Sequence, residues 1–150
     1  VGATGLYANH FVEEQQRICI ESIFQAMGVA HWVKEEKLID VVCAVAGSGP
    51  AYFYYFAEAI SNVAIRLGLS QSEAELFVSQ TMLGASRMMM NTTDSAAELC
   101  AQVAVEGGTT KAALQVMQDN HVDESIQQAI MAAYQRSAEL NAMLGPLVKE

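Results

Sequence analysis

Glu98-Leu99-Cys100-Ala101-Gln102-Val103-Ala104-Val105-Glu106-Gly107-Gly108-Thr109-Thr110-Lys111-Ala112-Ala113-Leu114 reads as a helix, a glycine break and a second helix. Just upstream, Ser95-Ala96-Ala97-Glu98 has the pattern of a capping box, in which serine and glutamate satisfy each other's free backbone N–H groups. After the break, Thr109 or Thr110 is expected to cap a short helix ending near Asp119-Asn120. A helix start offers unpaired N–H groups and a partial positive charge, so it suits a carboxylate or a phosphate. The glycines let the backbone approach a ligand, successive N–H groups can converge on an anion, and threonine hydroxyls add rotatable donors. The same residues also make a well-capped helix–helix turn. On the residues alone both readings stand.

Outward from this loop, the pattern from residue 37 onward is helical. Leu38-Ile39-Asp40 opens a segment running to Ala46, which Gly47-Ser48-Gly49-Pro50 interrupts as a tight turn. Pro50 suits the first turn of the next helix, Ala51 to Leu67, because its missing N–H costs nothing there. Tyr52-Phe53-Tyr54-Tyr55-Phe56 cannot all face one side, so this helix is expected to be covered all round, deep in a core or a dimer interface. Gly68 ends it, and the capping box Ser70-Gln71-Ser72-Glu73 opens a helix through Met89. Asp123 is expected to cap a last long helix that Gly145-Pro146 terminates.

Residues 1–36 differ. Gly5-Leu6-Tyr7-Ala8 and Val29 to Val33 read as short strands. Between them lies a helix with Glu13-Glu14 at its start and Gly28 placed to end it. A strand–helix–strand unit this small does not make a stable sheet alone. It reads as the tail of a larger α/β domain.

Composition narrows the class. The chain has 150 residues, 52% of them hydrophobic and only 17% charged. That balance points to apolar surface covered by a partner chain, or to an Ala- and Met-rich helical core. The net charge of −9 argues against nucleic acid and anionic membranes. No apolar run is long enough to span a bilayer, and the first residues carry no charged n-region, so a cytoplasmic location is expected. Cys19, Cys43 and Cys100 are odd in number and widely spaced, which reads as free, mostly buried thiols with neither a disulfide framework nor a metal site. His10, His31 and His121 are scattered and read as solvated. Gly47-Ser48-Gly49 lacks the third glycine of a dinucleotide loop, because Tyr52 stands there, and Ser48 has no nucleophile-elbow context.

Several runs together resemble one enzyme family. Ala96 to Gln118, Leu38-Ile39-Asp40, Ala46-Gly47-Ser48-Gly49-Pro50-Ala51-Tyr52, Leu67-Gly68-Leu69-Ser70, Gln80-Thr81-Met82-Leu83-Gly84-Ala85 and Arg136-Ser137-Ala138-Glu139-Leu140 are similar to pyrroline-5-carboxylate reductases, in order and at matching spacing. Thr4-Gly5-Leu6-Tyr7-Ala8-Asn9 resembles the end of that family's cofactor domain. The resemblance implies a mostly α fold: a helical dimerisation domain of the 6-phosphogluconate-dehydrogenase-like C-terminal type over residues 37–150. Residues 1–36 are then a residual β-α-β piece of a Rossmann domain.

It implies reduction of 1-pyrroline-5-carboxylate to L-proline with NADPH or NADH by a homodimer or higher homo-oligomer. The cofactor would be bound mainly outside this chain, which alone would be inactive. It makes Val105, Glu106, Gly107, Gly108, Thr109 and Thr110 the substrate loop: N–H groups around Gly107, Gly108 and Thr109 hold the carboxylate, and the Thr110 hydroxyl, the catalytic group, meets the ring nitrogen. Two positions depart from the family. Val105-Glu106 stands where Ser-Pro or Ser-Lys is common, and Ala46 stands where Ser is usual. A related imine or β-hydroxyacid reductase with altered substrate, and a non-catalytic helical dimerisation module, are the alternative readings.

Overall fold

The computed structural model describes residues 2–144. The predicted Gly145-Pro146 stop lies outside them. The chain is mostly α, with one small parallel sheet. Strand β1 (Gly2–Leu6) leads through helix α1 (Glu14–Gln25) to strand β2 (Gly28–Trp32). Then come α2 (Leu38–Val42), a π-helical stretch (Cys43–Gly47), α3 (Gly49–Arg66), α4 (Gln71–Met90), α5 (Ala96–Val103), α6 (Thr109–Asp119) and α7 (Val122–Leu144). The residues fall into two compact units, one of residues 1–51 with 126–150 and one of residues 52–125.

In the first unit β1 and β2 pair in parallel, from Gly2 opposite Gly28 to Leu6 opposite Trp32. This is the β-α-β order expected, but β1 begins earlier than the predicted Gly5 and stops at Leu6. Gly2 and Ala3 carry little strand propensity of their own; their ladder with β2 decides. Gly28 does not end α1, which closes at Ala26. It instead starts β2 with φ +154°, and a Cβ there would lie 2.1 Å from the Gly2 carbonyl oxygen. Only glycine lets the two strand starts meet. Helix α1 is tied to β2 through Trp32, whose indole Nε1 donates to Glu21 at 2.8 Å. The Arg17 guanidinium sits over the same ring, 4.5 Å from its centre.

Helix α2 approaches β1 at Gly5, where a Cβ would meet the Val42 methyls at 2.9 Å. Asp40 on α2 is buried and accepts a 2.7 Å hydrogen bond from the Ser137 hydroxyl of α7. The predicted tight turn at Gly47-Ser48-Gly49-Pro50 is absent. The chain stays helical, and the Ser48 N–H donates to the Cys43 carbonyl five residues back at 2.8 Å. Pro50 has no N–H for the Ala46 carbonyl, and the wider π turn just before it absorbs that lost rung.

In the second unit the helix ends follow local chemistry. Leu69 N–H reaches the Ala64 carbonyl and Gly68 N–H reaches Ile65, which closes α3 in a Schellman motif. Ser70 and Glu73 cap α4 reciprocally, and Ser95 and Glu98 do the same for α5. The Glu73 carboxyl is held below the usual 4.5 by the Ser70 hydroxyl and then the Ser70 N–H. The Glu98 carboxyl is lowered by the Ser95 N–H and then the Ser95 hydroxyl. Helix α7 starts at Val122, so Asp123 lies in its first turn rather than capping it.

Burial departs most from expectation. Leu6, Ala44, Ala74 and Val78 are the buried apolar side chains among the described residues. Within this single chain the α3 aromatics are not covered, which sets aside the core and keeps the dimer interface: Tyr54 is 71% and Tyr55 73% exposed. All three cysteines are exposed, contrary to the expected burial, because the chain offers so few enclosed positions. The chain presents 11842 Å² of accessible surface. A compact chain of this length exposes about 7,500 Å², and even two separate compact halves about 9,000 Å² together. Much of the apolar surface of α3, α4 and α6 is therefore left for something other than this chain to cover.

Candidate functional site

The six predicted site residues are consecutive, Val105 to Gly108 in the turn between α5 and α6 and Thr109 and Thr110 at the start of α6. Helix α5 ends at Val103, with Ala104 as its cap, and Val105 to Gly108 carry the chain to the start of α6. Gly107 has φ +72°, a left-handed conformation that costs a glycine nothing and a side-chain-bearing residue about 1 kcal/mol or more. The Gly108 N–H then donates to the Val105 carbonyl at 3.0 Å, which closes the turn. A Cβ on Gly108 would lie 2.9 Å from Val105 Cγ2, so the Val105 side chain takes the place such a group would need.

The cap differs from the sequence expectation. Gly108, not Thr109 or Thr110, is the N-cap of α6, and it supplies no side-chain acceptor. Helices α4 and α5 spend a serine and a glutamate each on this task. The first-turn N–H groups of α6 have no such side-chain cap, and an oxyanion of suitable size fits that vacancy in the bonding pattern. Thr110 is half-buried, whereas Thr109 is exposed. A hydroxyl in the first helical turn beside free N–H donors can accept or donate to a polar ring atom.

Glu106 and Lys111 were not paired by sequence reasoning. Across the glycines, the Lys111 ammonium forms an ion pair with the Glu106 carboxylate. The Glu106 carboxylate is thus paired with a side chain of the first turn of α6. An i, i+5 spacing across a glycine pair lies outside the usual helical pair rules, so no periodic signal marks it.

Other polar residues lie elsewhere. Glu58 and Asn62 are exposed on α3 and border an open cleft of about 470 Å³ with Gln71 and Glu75 of α4. His121, just before α7, has φ 51° and lies 3.3 Å from Glu124. His31 is on β2 and His10 stacks on Phe11. Among the described residues no group of His, Cys, Asp or Glu is placed to hold a metal ion. None of the described helices is long and apolar enough to cross a membrane. Neither of two loop segments among the described residues is a glycine-rich dinucleotide loop. The β1–α1 crossover, Tyr7 to Glu13, contains no glycine. The Gly47-Ser48-Gly49 N–H groups sit within a helical run, where Ser48 already bonds Cys43.

Residues 36–140 match the family model described as pyrroline-5-carboxylate reductase dimerisation. The chain belongs to the pyrroline-5-carboxylate reductase family. The pyrroline-5-carboxylate reductase of Pseudomonas aeruginosa is 42% identical over 144 residues, covering 96% of this chain and 53% of that protein. The Coxiella burnetii pyrroline-5-carboxylate reductase structure superimposes with a TM-score of 0.87 at 41% identity, covering 92% of this chain and 51% of that one. The Plasmodium falciparum pyrroline carboxylate reductase structure, solved with NADP bound, gives 0.82 at 27% identity, covering 89% and 55%. The chain thus spans about half the length of these family members. Within the family, the uncovered helices and the open α5–α6 loop belong to one segment: the residues matched by the dimerisation model contain both.

Proposed function

We propose that this chain is the dimerisation and substrate-holding half of a reductase that converts 1-pyrroline-5-carboxylate to L-proline. Residues 37–150 form the helical half, and residues 1–36 are the tail of a dinucleotide-binding domain. NADPH or NADH is held mainly by residues outside this chain. The reading places the protein in the cytoplasm. The observation that carries it is the side-chain-uncapped start of α6 at Gly108, followed at once by two threonines.

In this reading the N–H groups around Gly107, Gly108 and Thr109 hold the substrate carboxylate. The Thr110 hydroxyl, half-buried in the first turn, meets the ring nitrogen and fixes which carbon is presented for reduction. The contribution is positioning: a ring held at both ends loses the rotational freedom that would otherwise slow the reaction. A threonine hydroxyl is a weak acid, so the proton reaching nitrogen comes from water. Val105 and Glu106 complete the substrate loop before the glycines. Val105 replaces a hydroxyl with a methyl group packed on Gly108, which removes one donor to the carboxylate.

The partner is a second copy of the chain. A homodimer or higher oligomer would cover the exposed α3 and α4 faces, where Tyr54, Tyr55 and Met90 are each more than two-thirds exposed. The test is NADPH oxidation in the presence of pyrroline-5-carboxylate by the complete protein carrying this chain. Substrate-dependent turnover supports the proposal; a rate no higher than without substrate removes it.

A further inference from the structure

Helix α3 carries one acid, Glu58, and one base, Arg66, in its 18 residues. They stand eight positions apart, about 12 Å along the axis, too far to bond each other. Among the described residues neither has an ion pair, although such pairs form at Lys37, Lys111, His121 and Arg136. Asn62 lies midway, so the three make one i, i+4, i+8 ridge, the kind of row that packs into the groove of a second helix. Tyr55, Ala59 and Val63 share that face at helical spacing, and all six residues are exposed. Beside Asn62 the short Ala59 side chain leaves a shallow depression of about 640 Å³, bordered also by Val63, Ile65 and Arg66. Helix α4 lies to one side of the ridge, where the half-buried Ala57 and Ser61 border a cleft with Val78 and Ser79.

We propose that this ridge docks antiparallel on the same ridge of a second copy, about a two-fold axis at Asn62, so that Glu58 of each protomer pairs with Arg66 of the partner subunit. The inference rests on the self-association read above and adds to it the face and the register. Charge selects the occupant and its direction. Each chain has a net charge of −9, so two copies repel in general. Helix α3 brings no net charge to the contact, and its order of acid, amide and base is its own complement when reversed. A two-fold contact needs that property, because residue i of one copy meets j of the other while j meets i. Parallel packing would set acid on acid and base on base, which costs several kcal/mol in a contact. At the axis the two Asn62 carboxamides, each both donor and acceptor, can bond each other. The area agrees with this occupant. The chain exposes 11842 Å², against about 7,500 Å² for a compact chain of its length, and obligate homodimers bury about 2,000–5,000 Å².

The experiment co-expresses two differently tagged copies of the complete protein, one Glu58→Arg and one Arg66→Glu, and counts the pairs by native mass spectrometry. Copies of one kind meet like charges at both ends of the ridge, whereas a mixed pair has opposite charges at both. Mixed pairs should rise from about one half, the share for tagged wild type, to about nine-tenths, which is a tenfold weakening of each like-charged pair. The double variant Glu58→Arg/Arg66→Glu carries the ridge reversed. Co-expressed with wild type, it should pair with itself and form mixed pairs about one time in ten.

The mixture of single variants stays informative even where each alone fails to fold, because the mixed pair restores both contacts. Mixed pairs near one half in both mixtures overturn the register while leaving the dimer. A wild-type protein that is monomeric overturns the self-association reading, and the register with it.

Discussion

The Ser137 hydroxyl donates to the Asp40 carboxylate at 2.7 Å, joining two residues 97 positions apart. Asp40 is only 8% exposed, so its carboxylate has lost most of its water. A buried acceptor stripped of its donor costs its full desolvation. Ser137→Ala should therefore destabilise the first unit by about 1–3 kcal/mol. Urea unfolding followed by Trp32 fluorescence measures it, and an unshifted midpoint would show that the bond contributes nothing.

The meeting of the strand starts makes a second prediction. Gly28→Ala places a methyl group within 2.1 Å of the Gly2 oxygen, at φ +154°. Gly47→Ala meets nothing nearer than the Cys43 sulfur at 3.7 Å. The first substitution should lower the denaturation midpoint well below the second. Equal midpoints would mean that the β1–β2 junction relaxes freely.

The capping boxes give a pH dependence. Glu73 and Glu98 both have carboxyl groups lowered in the folded state by bonds to Ser70 and Ser95. A lowered folded value means that the unfolded chain binds protons first as pH falls below 4.5, so the contribution is complete near neutrality. It is lost as pH falls through the folded values. Amide exchange at the first turns of α4 and α5 should therefore accelerate below that pH. Glu73→Gln should blunt the change in α4 and leave α5 as it was.

Association follows from the exposed surface. The chain should be dimeric or larger by light scattering at micromolar concentration, because an apolar area this extensive is seldom left in water. A stable monomer would contradict the proposed self-association. The same sample should show neither turnover nor micromolar NADPH binding.

Much of this was legible in the sequence because it is local. The capping boxes at Ser70 and Ser95, the β-α-β order and the grouping of residues 105–110 each depend on neighbours within a few positions. The misreadings share a different cause. Gly28 looked like a helix stop, but its partner is Gly2, brought close by strand pairing. The Gly47–Pro50 turn became a π-helical stretch, since glycine and proline mark a disturbed ladder without saying how it is absorbed. Burial of the cysteines was inferred from composition, yet composition does not say which chain supplies the cover. The pairing of Glu106 with Lys111 spans two glycines and five positions, a spacing that no helical period marks. Asp40 with Ser137 left no local trace at all.

The central claim is that the α6 start holds the substrate, with Thr110 at its ring nitrogen. Steady-state kinetics of Thr110→Ala in the complete protein tests it most directly, using NADPH and pyrroline-5-carboxylate. The account predicts a fall in kcat/KM of about tenfold or more, because a misplaced ring loses its near-attack geometry. An unchanged kcat/KM in an active enzyme would leave the loop with only the role of a helix start.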